Sequence, residues 1–173
     1  MARSSASSSG RLGSRDAPAV SRVYLDYAGC APVDPRVLGV MRLFLEGGVG
    51  NPSAPHSLGF EARASLDGAR AKVARLFGGA PSGVIFTATA TEANNLALRG
   101  LAARASGRHV VASAIEHISV LNACRDLEKQ GFAVTLAPVD GDGRVDPAAI
   151  ARAIRQDTVL VSVTAASGEI GTL

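Results

Sequence analysis

The chain has 173 residues, of which 47% are hydrophobic and 19% are charged, and its net charge at pH 7 is +3. The length suits one domain, and the mean hydropathy of +0.20 excludes a chain that is disordered throughout. No stretch approaches the roughly 18 uninterrupted apolar residues of a membrane span. Because the basic residues are spread along the chain, no nucleic-acid partner is predicted. Cys30 and Cys124 form neither a disulfide framework nor a Cys-x-x-Cys metal site, which favours a reducing compartment.

Residues 1–19 are rich in serine and arginine and poor in apolar side chains, which predicts a disordered tail. Arg3, Arg11 and Arg15 among the serines are also typical of an organelle transit peptide, although the apolar face of such a peptide is nearly absent. We therefore expect a tail over 1–19, a folded α/β domain over 20–173, and a cytoplasmic location with organelle targeting as the alternative.

Two helices are predicted after a short apolar run at residues 23–25. Asp34-Pro35 is a helix start signal, and the apolar residues that follow recur at helical spacing until Gly47-Gly48. Residues 47–57 are predicted to form a loop. The second helix is predicted over residues 58–77, ending at Gly78-Gly79.

Strands and helices are predicted to alternate over the rest of the chain. Apolar runs typical of strands occupy residues 84–87, 109–113, 133–137 and 158–164, and helical patterns occupy residues 91–104, 117–130 and 147–155. Such apolar runs joined by helices are typical of a mainly parallel sheet covered on both faces. The predicted fold is therefore a three-layer α/β domain.

The first candidate site is the loop at residues 86–95, where a predicted strand turns into a helix. Ligands of open α/β sheets bind at the carboxyl ends of strands. Small residues there let backbone N–H groups approach an anion, threonine hydroxyls add hydrogen bonds, and the helix dipole favours negative charge. The pattern predicts a phosphate site, and the alternative is that Thr91 only caps a helix.

The second candidate is His117, which follows the strand at residues 109–113. No companion ligands are spaced for a metal, so we expect no metal site. The ring can stack on a planar ligand or exchange a proton, or it can bond the backbone at a helix start. A third loop, at residues 165–172, also follows a strand, whereas His56, His109 and Cys30 show no functional pattern.

Taken together, five segments resemble the N-terminal half of a cysteine desulfurase, a pyridoxal-phosphate enzyme of the class V aminotransferase group. The resemblance runs from about Val23 to Leu173. The segments that carry it are Val23–Ala28 with Pro32–Pro35, Gly50–Ser53 with His56, Ala90–Ala97, Glu116-His117, and Glu169–Thr172.

The resemblance implies part of the large domain of fold type I of the pyridoxal-phosphate enzymes, and a homodimer. It also implies removal of sulfur from L-cysteine to give L-alanine and an enzyme-bound persulfide, with a sulfur-acceptor protein as a further partner and a role in iron–sulfur cluster assembly. By the same resemblance, Ala90 and Thr91 belong to the phosphate-binding loop. The resemblance also implies that His117 stacks on the ring of pyridoxal 5'-phosphate and acts in proton transfer.

The chain departs from the family pattern at several positions. Ala88-Thr89 replaces the usual Ser-Gly, Gly168 replaces an asparagine that bonds the cofactor ring oxygen, and Gly29–Pro32 replaces the usual Ala-Thr-Thr-Pro. The family's Schiff-base lysine and sulfur-accepting cysteine follow the matched region. The two lysines of this chain, Lys72 and Lys129, are predicted to be surface residues. The chain is therefore expected to be inactive alone.

Three interpretations remain open from the sequence. The chain can be part of a desulfurase, either completed by a C-terminal chain or truncated from a longer reading frame. It can be a non-catalytic binding or scaffold protein, or part of a related class V enzyme such as a selenocysteine lyase. In each case the strand at residues 158–164 is expected to have an exposed edge, which predicts an oligomeric or poorly soluble chain.

Overall fold

A computed structural model describes residues 23–48 and 50–173. The tail predicted over 1–19 lies outside the described residues. The chain divides into two compact units, residues 1–32 and 33–173. In the first unit, the Asp26 carboxylate accepts a hydrogen bond from the Gly29 N–H at 3.1 Å, which closes a turn over residues 27–29.

The second unit contains five α-helices and three strands in its described residues. The helices are Pro35–Gly47 (α1), Ser57–Leu76 (α2), Ala90–Arg104 (α3), Ile118–Lys129 (α4) and Pro147–Ala153 (α5). The strands are His109–Ser113 (β1), Ala133–Ala137 (β2) and Thr158–Ser162 (β3). β1 and β2 occupy the predicted residues, and β3 ends at Ser162 instead of Thr164. Over the described ranges, no helix is long and apolar enough to cross a membrane.

Local signals in the sequence set several helix ends. Asp34 and Asp146 cap α1 and α5 through their carboxylates, with proline at the first helical position of each helix. After α4, Gly131 adopts a φ of +87°, a conformation that glycine enters without steric cost. The N–H of Phe132 then donates to the carbonyl of Leu127 at 3.0 Å, which closes a Schellman motif.

The sheet is parallel throughout, in the order β2-β1-β3. All five residues of the central strand are buried, and successive side chains point to opposite faces, so both faces of β1 are covered. This finding agrees with the predicted α/β class. One face packs on α3 and α4, and the hydrophobic core there consists of Leu98, Ala102, Val110, Ala112, Val120, Ala123, Cys124, Leu127 and Phe132.

The strand predicted at residues 84–87 is absent, and that prediction was wrong. A short 3-10 helix, Pro81–Gly83, precedes an extended but unpaired segment. A strand requires a hydrogen-bonded neighbour, and none of the described strands lies beside this segment. The carbonyl of Val84 instead accepts from Arg70 Nε at 3.3 Å, and Ile85 is 70% exposed.

The strand order creates a topological switch point. From β1 the chain crosses to β2 on one side, and β3 then pairs with the opposite side of β1. In open α/β sheets, the crevice outside the carboxyl ends of strands at such a point is the usual ligand site. The loops that follow β1 and β3 therefore form the edge at which a site is expected.

Candidate functional site

Glu116 connects the loops that follow β1 and β3. Its side chain is buried, and the residue is 7% exposed. One carboxylate oxygen accepts from the hydroxyl of Ser113 at 2.7 Å and from the N–H of Thr164 at 2.6 Å. The other accepts from the hydroxyl of Ser162 at 3.1 Å. Three donors from both strand ends thus satisfy one buried carboxylate, which holds this edge of the sheet together.

His117 caps the N-terminus of α4, so the backbone-bonded alternative raised by the sequence is present in the structure. Its Nδ1 accepts from the N–H of Ser119 at 3.2 Å and lies 2.7 Å from the Ser119 hydroxyl oxygen. The ring is nevertheless exposed, and Nε2 has no hydrogen-bond partner among residues 23–48 and 50–173. One ring nitrogen is therefore held by the helix, and the other has no partner among the described residues.

The cap of α3 is Thr89 and not Thr91, the residue that sequence reasoning considered for this role. The Thr89 hydroxyl accepts from the N–H of Glu92 at 3.1 Å, and the Glu92 carboxylate accepts from the N–H of Ala88 at 2.8 Å. This pair of bonds is a variant of the capping box, in which the Glu92 carboxylate bonds the N–H of the residue before the cap. The Thr89 hydroxyl satisfies one of the N–H groups that the start of a helix leaves unpaired.

The capping box leaves a small set of free donors at the start of α3. The N–H groups of Ala90 and Thr91 and the Thr91 hydroxyl make no hydrogen bond to any described residue, and both residues are exposed. Free N–H groups at a helix N-terminus, together with the helix dipole, can bind an anion. The carboxylate of Glu92 lies in the same turn and opposes part of that field.

A side-chain contact brings the N-terminal turns of α3 and α4 together. The amide of Asn94, one turn after Thr91, donates to the hydroxyl of Ser119 at 2.9 Å, and Ser119 is 6% exposed. Ser119 in turn contacts His117. The two loops that sequence analysis treated separately are therefore linked through Asn94 and Ser119.

The third loop, after β3, is held mainly by its own backbone. Ser167 is 8% exposed, its N–H donates to the carbonyl of Thr172 at 2.9 Å, and its carbonyl accepts from the N–H of Gly171 at 2.9 Å. The Ser167 hydroxyl donates to Glu169 at 3.3 Å. Gly168, between them, brings no side chain to this edge. A groove of about 230 Å³ lies beside this loop and is lined in part by Ile115, Thr164 and Thr172.

His56 and His109, which showed no functional pattern, make structural contacts. His56 caps α2 by accepting from the N–H of Gly59 at 3.2 Å. His109 is fully buried between the hydroxyls of Thr158 and Thr135, at 2.7 Å and 2.8 Å. Burial lowers the pKa of His109, and the nearby Arg155 lowers it further, while Asp157 acts in the opposite direction.

Neither lysine makes a hydrogen bond to His117. Lys129 ends α4, at the opposite end of that helix, pairs with Asp126 at 3.2 Å, and has a side chain that is 78% exposed. Lys72 is exposed on α2. Burial raises the pKa of the Cys124 thiol, which makes this cysteine a poor nucleophile. Across the described ranges, no cluster of ligating side chains could hold a metal ion.

Sequence reasoning identified Ala90, Thr91 and His117 but assigned no role to Asn94, Ser119 or Glu116. Glu116 was quoted only as part of a motif beside His117. A buried carboxylate directly after an apolar strand was the available signal for Glu116, since such a group needs several donors. Asn94 and Ser119 are neutral residues on separate helices, and no pattern along the chain pairs them.

Comparison with known proteins assigns the chain to a family. The family model described as aminotransferase class-V matches residues 23–173. Cysteine desulfurase IscS 1 of Archaeoglobus fulgidus is 49% identical over 152 residues, which cover 87% of this chain and 40% of that protein. Cysteine desulfurase IscS of Dictyoglomus turgidum is 44% identical over 153 residues, covering 87% of this chain and 39% of that protein. The chain thus spans about two-fifths of these relatives.

Solved structures agree with this assignment. A NifS-like protein superposes with a TM-score of 0.82 at 38% identity, over 88% of this chain and 42% of that one. SspA, solved in complex with cysteine, gives a TM-score of 0.82 at 37% identity, over 87% of this chain and 44% of that one. The α/β fold is that of the fold type I pyridoxal-phosphate enzymes, and the chain belongs to the class-V aminotransferase family.

Proposed function

We propose that this chain supplies the phosphate-binding loop and the ring-facing histidine of a pyridoxal-phosphate-dependent cysteine desulfurase. The proposed substrate is L-cysteine and the products are L-alanine and a persulfide. We further propose that the chain acts as a homodimer or with a complementing C-terminal chain, that it passes sulfur to an acceptor protein in iron–sulfur cluster assembly, and that it is cytoplasmic, with organelle targeting as the alternative.

The observation that carries the proposal is the pairing of two helix N-termini at one edge of the sheet. Thr91 lies in the first turn of α3, and Asn94, one turn later, bonds Ser119 beside His117 at the start of α4. Relatives that share this region are named cysteine desulfurases. The edge therefore carries an anion-binding group and a planar, titratable group together.

The residues present fit the cofactor in part. The free N–H groups of Ala90 and Thr91 and the Thr91 hydroxyl suit a phosphate, and the exposed ring of His117, fixed through Nδ1, suits the face of a pyridine ring. Pyridoxal phosphate, when bound, supplies an electron sink for bond cleavage in an amino acid. In this proposal Ala90 and Thr91 bind and orient, and His117 holds or moves a proton at Nε2.

The reactive amine has to come from outside the residues near this edge. A helix rises about 1.5 Å per residue, so Lys129 lies roughly 18 Å along α4 from its N-terminus. Lys72 lies on α2, whose main packing partner among the described elements is the short 3-10 helix Pro81–Gly83 and not the sheet. We propose that the lysine and the sulfur-accepting cysteine belong to a region or partner chain corresponding to the unmatched part of the relatives, and that this chain alone is inactive.

A second candidate function is binding without chemistry. Cysteine desulfurases usually have Ser-Gly at the positions of Ala88 and Thr89. In this chain Ala88 has no hydroxyl, and the Thr89 hydroxyl already accepts a hydrogen bond from the N–H of Glu92, so neither side chain is available to bind a phosphate. Gly168 likewise offers no side chain to a ligand. A scaffold protein that retains only a weakened anion site accommodates these substitutions. A variant of the first proposal is that the chain is part of a related class V enzyme, such as a selenocysteine lyase.

Titration with two matched ligands tests the phosphate site. Pyridoxine 5'-phosphate and pyridoxine share a ring, and neither has the aldehyde that would react with surface lysines. We expect calorimetry on the full chain to detect binding of pyridoxine 5'-phosphate and no binding of pyridoxine. Thr91→Ala should lower the affinity for pyridoxine 5'-phosphate about tenfold, because it removes one hydrogen bond to a charged group. Thr91→Ser, which keeps the hydroxyl, should retain the affinity. Equal affinity for both ligands would contradict the proposed phosphate site.

A complementation assay separates the two candidate functions. The test partner is the C-terminal portion, beginning after the matched region, of a relative such as that of Dictyoglomus turgidum, chosen once its own full-length protein is confirmed to form alanine from cysteine. Alanine formed from cysteine by the mixture, and by neither part alone, supports the desulfurase proposal. Ligand binding in a folded mixture that forms no alanine favours the scaffold.

A further inference from the structure

The hydrogen bonds around His117 fix the position of its proton. Ser119 is the second residue of α4, so its backbone N–H has no partner within the helix. This N–H points at Nδ1 of His117 at 3.2 Å. A backbone N–H can only donate, and Nδ1 therefore has to accept. In the neutral ring the hydrogen must then reside on Nε2.

The side chain of Ser119 reinforces the same arrangement. Its hydroxyl oxygen lies 2.7 Å from Nδ1, and because Nδ1 is an acceptor, the hydroxyl hydrogen points toward it. The lone pairs of that oxygen are then open to a donor. Asn94 fills this role with its amide NH₂ at 2.9 Å. The hydrogen bonds run in one direction, from the Asn94 amide to the Ser119 hydroxyl and from that hydroxyl to Nδ1 of His117. We call this series of hydrogen bonds the relay.

We propose that Asn94 and Ser119 are positioning residues that hold the neutral ring of His117 as the Nε2–H tautomer and in one orientation. The exposed nitrogen of His117 then offers a hydrogen and not a lone pair, so it recognises a ligand atom that accepts a hydrogen bond. The tautomer follows from this chain's own contacts, and only its use toward a cofactor rests on the proposed function.

Nitrogen NMR of the full chain, labelled with ¹⁵N-histidine, reads the tautomer directly. The spectrum is recorded at alkaline pH, where imidazoles are neutral, and the three histidines are assigned with His56→Gln and His109→Gln. We expect Nδ1 of His117 to resonate as an unprotonated nitrogen that accepts a hydrogen bond, and Nε2 as a protonated one. A protonated Nδ1 would overturn the proposal, and this measurement needs no variant at the relay.

Variants then test the two positioning residues. Ser119→Ala should move the Nδ1 resonance toward that of a free lone pair, and Ser119→Thr, which retains a hydroxyl, should restore it. Asn94→Ala should produce a smaller shift in the same direction. Asn95→Ala is the matched control, because Asn95 bonds the Thr91 carbonyl and Arg99 and makes no contact with Ser119. An unchanged Nδ1 resonance in folded Ser119→Ala would contradict the relay.

The outcome is separable from that of the phosphate titration. If the Nδ1 resonance behaves as expected and pyridoxine 5'-phosphate does not bind, the relay stands and the proposed function fails. If the ligand binds while Nδ1 carries the proton, the proposed function stands and the relay is overturned.

Discussion

The backbone N–H of Thr164 donates to the carboxylate of Glu116 across 2.6 Å, and this contact joins the loop after β1 to the loop after β3. Those two strands lie on either side of the topological switch point. Because His117 follows Glu116 directly, the buried carboxylate also fixes the residue from which α4 begins. One side chain thus holds together the edge that carries the candidate site.

Replacing Glu116 should destabilise the protein markedly. Glu116→Ala leaves the hydroxyls of Ser113 and Ser162 and the N–H of Thr164 without their acceptor. Hydrogen bonds to a charged group contribute about 1.5–3 kcal/mol each, and the freed hydroxyls can find other partners, so we expect a loss of about 3 kcal/mol. Urea unfolding followed by circular dichroism measures the change in the free energy of unfolding.

Glu128→Ala is the control for this substitution. Glu128 is exposed on α4 and its carboxylate makes no hydrogen bond to a described residue, so its truncation should change the free energy of unfolding by less than about 0.5 kcal/mol. Similar losses for the two variants would contradict the conclusion that the Glu116 carboxylate holds this edge of the sheet together.

The repeating part of the fold was predictable from the sequence. β1 and β2 match their apolar runs residue for residue. β1 is buried along its whole length, as expected for a strand between helix layers, whereas only Ala137 of the edge strand β2 is buried. The run at residues 84–87 carries the same signal and forms no strand. Strand formation also requires a neighbouring ladder, and a local pattern contains no information on whether one is present.

The candidate site was predictable only in outline. The positions of Thr91 and His117 after apolar runs pointed to the sheet edge, since loops there meet helix N-termini. The sequence offers two hydroxyl residues as the cap of α3, Thr89 and Thr91, and the structure selects Thr89. The spacing of apolar residues does not locate a helix end closely enough to choose between positions two residues apart. The contact between Asn94 and Ser119 joins residues 25 positions apart and is created by the packing of α3 on α4.

Substitution of the α3 cap should give an ordered series of stabilities. Thr89→Ala removes the hydroxyl that accepts from the N–H of Glu92 and should cost about 1 kcal/mol, whereas Thr89→Gly should cost a few tenths. Glycine lets water reach the free N–H groups, so the alanine variant is the less stable of the two. Chemical denaturation provides the comparison. Thr91→Ala, which removes a hydroxyl outside the capping box, should be nearly neutral, and a larger loss there than at Thr89 would contradict the assignment of the cap.

The pH dependence of stability should report on His109. Burial lowers the pKa of this histidine below its unfolded value of about 6.5, so between the two values the unfolded chain binds more protons. The contribution of His109 to the free energy of unfolding is therefore fully present above about pH 6.5, and it is lost as the pH falls through the pKa that His109 has in the folded protein. We expect the free energy of unfolding to decrease between about pH 7.5 and pH 5.5. His109→Gln should flatten this slope, and an unchanged slope would assign it to other groups.

The outer strands should drive self-association. β3 pairs only with β1 among the described strands, Val161 is 38% exposed on it, and Leu136 on the opposite edge strand, β2, is 51% exposed. An unpaired apolar edge recruits a strand from another molecule. Light scattering after size-exclusion chromatography should therefore detect oligomers whose mass rises with protein concentration. Val161→Lys should reduce that mass by placing a charge on the β3 edge, and Leu136→Lys tests the β2 edge in the same way. A compact monomer at all concentrations would mean that neither edge is open to pairing in solution.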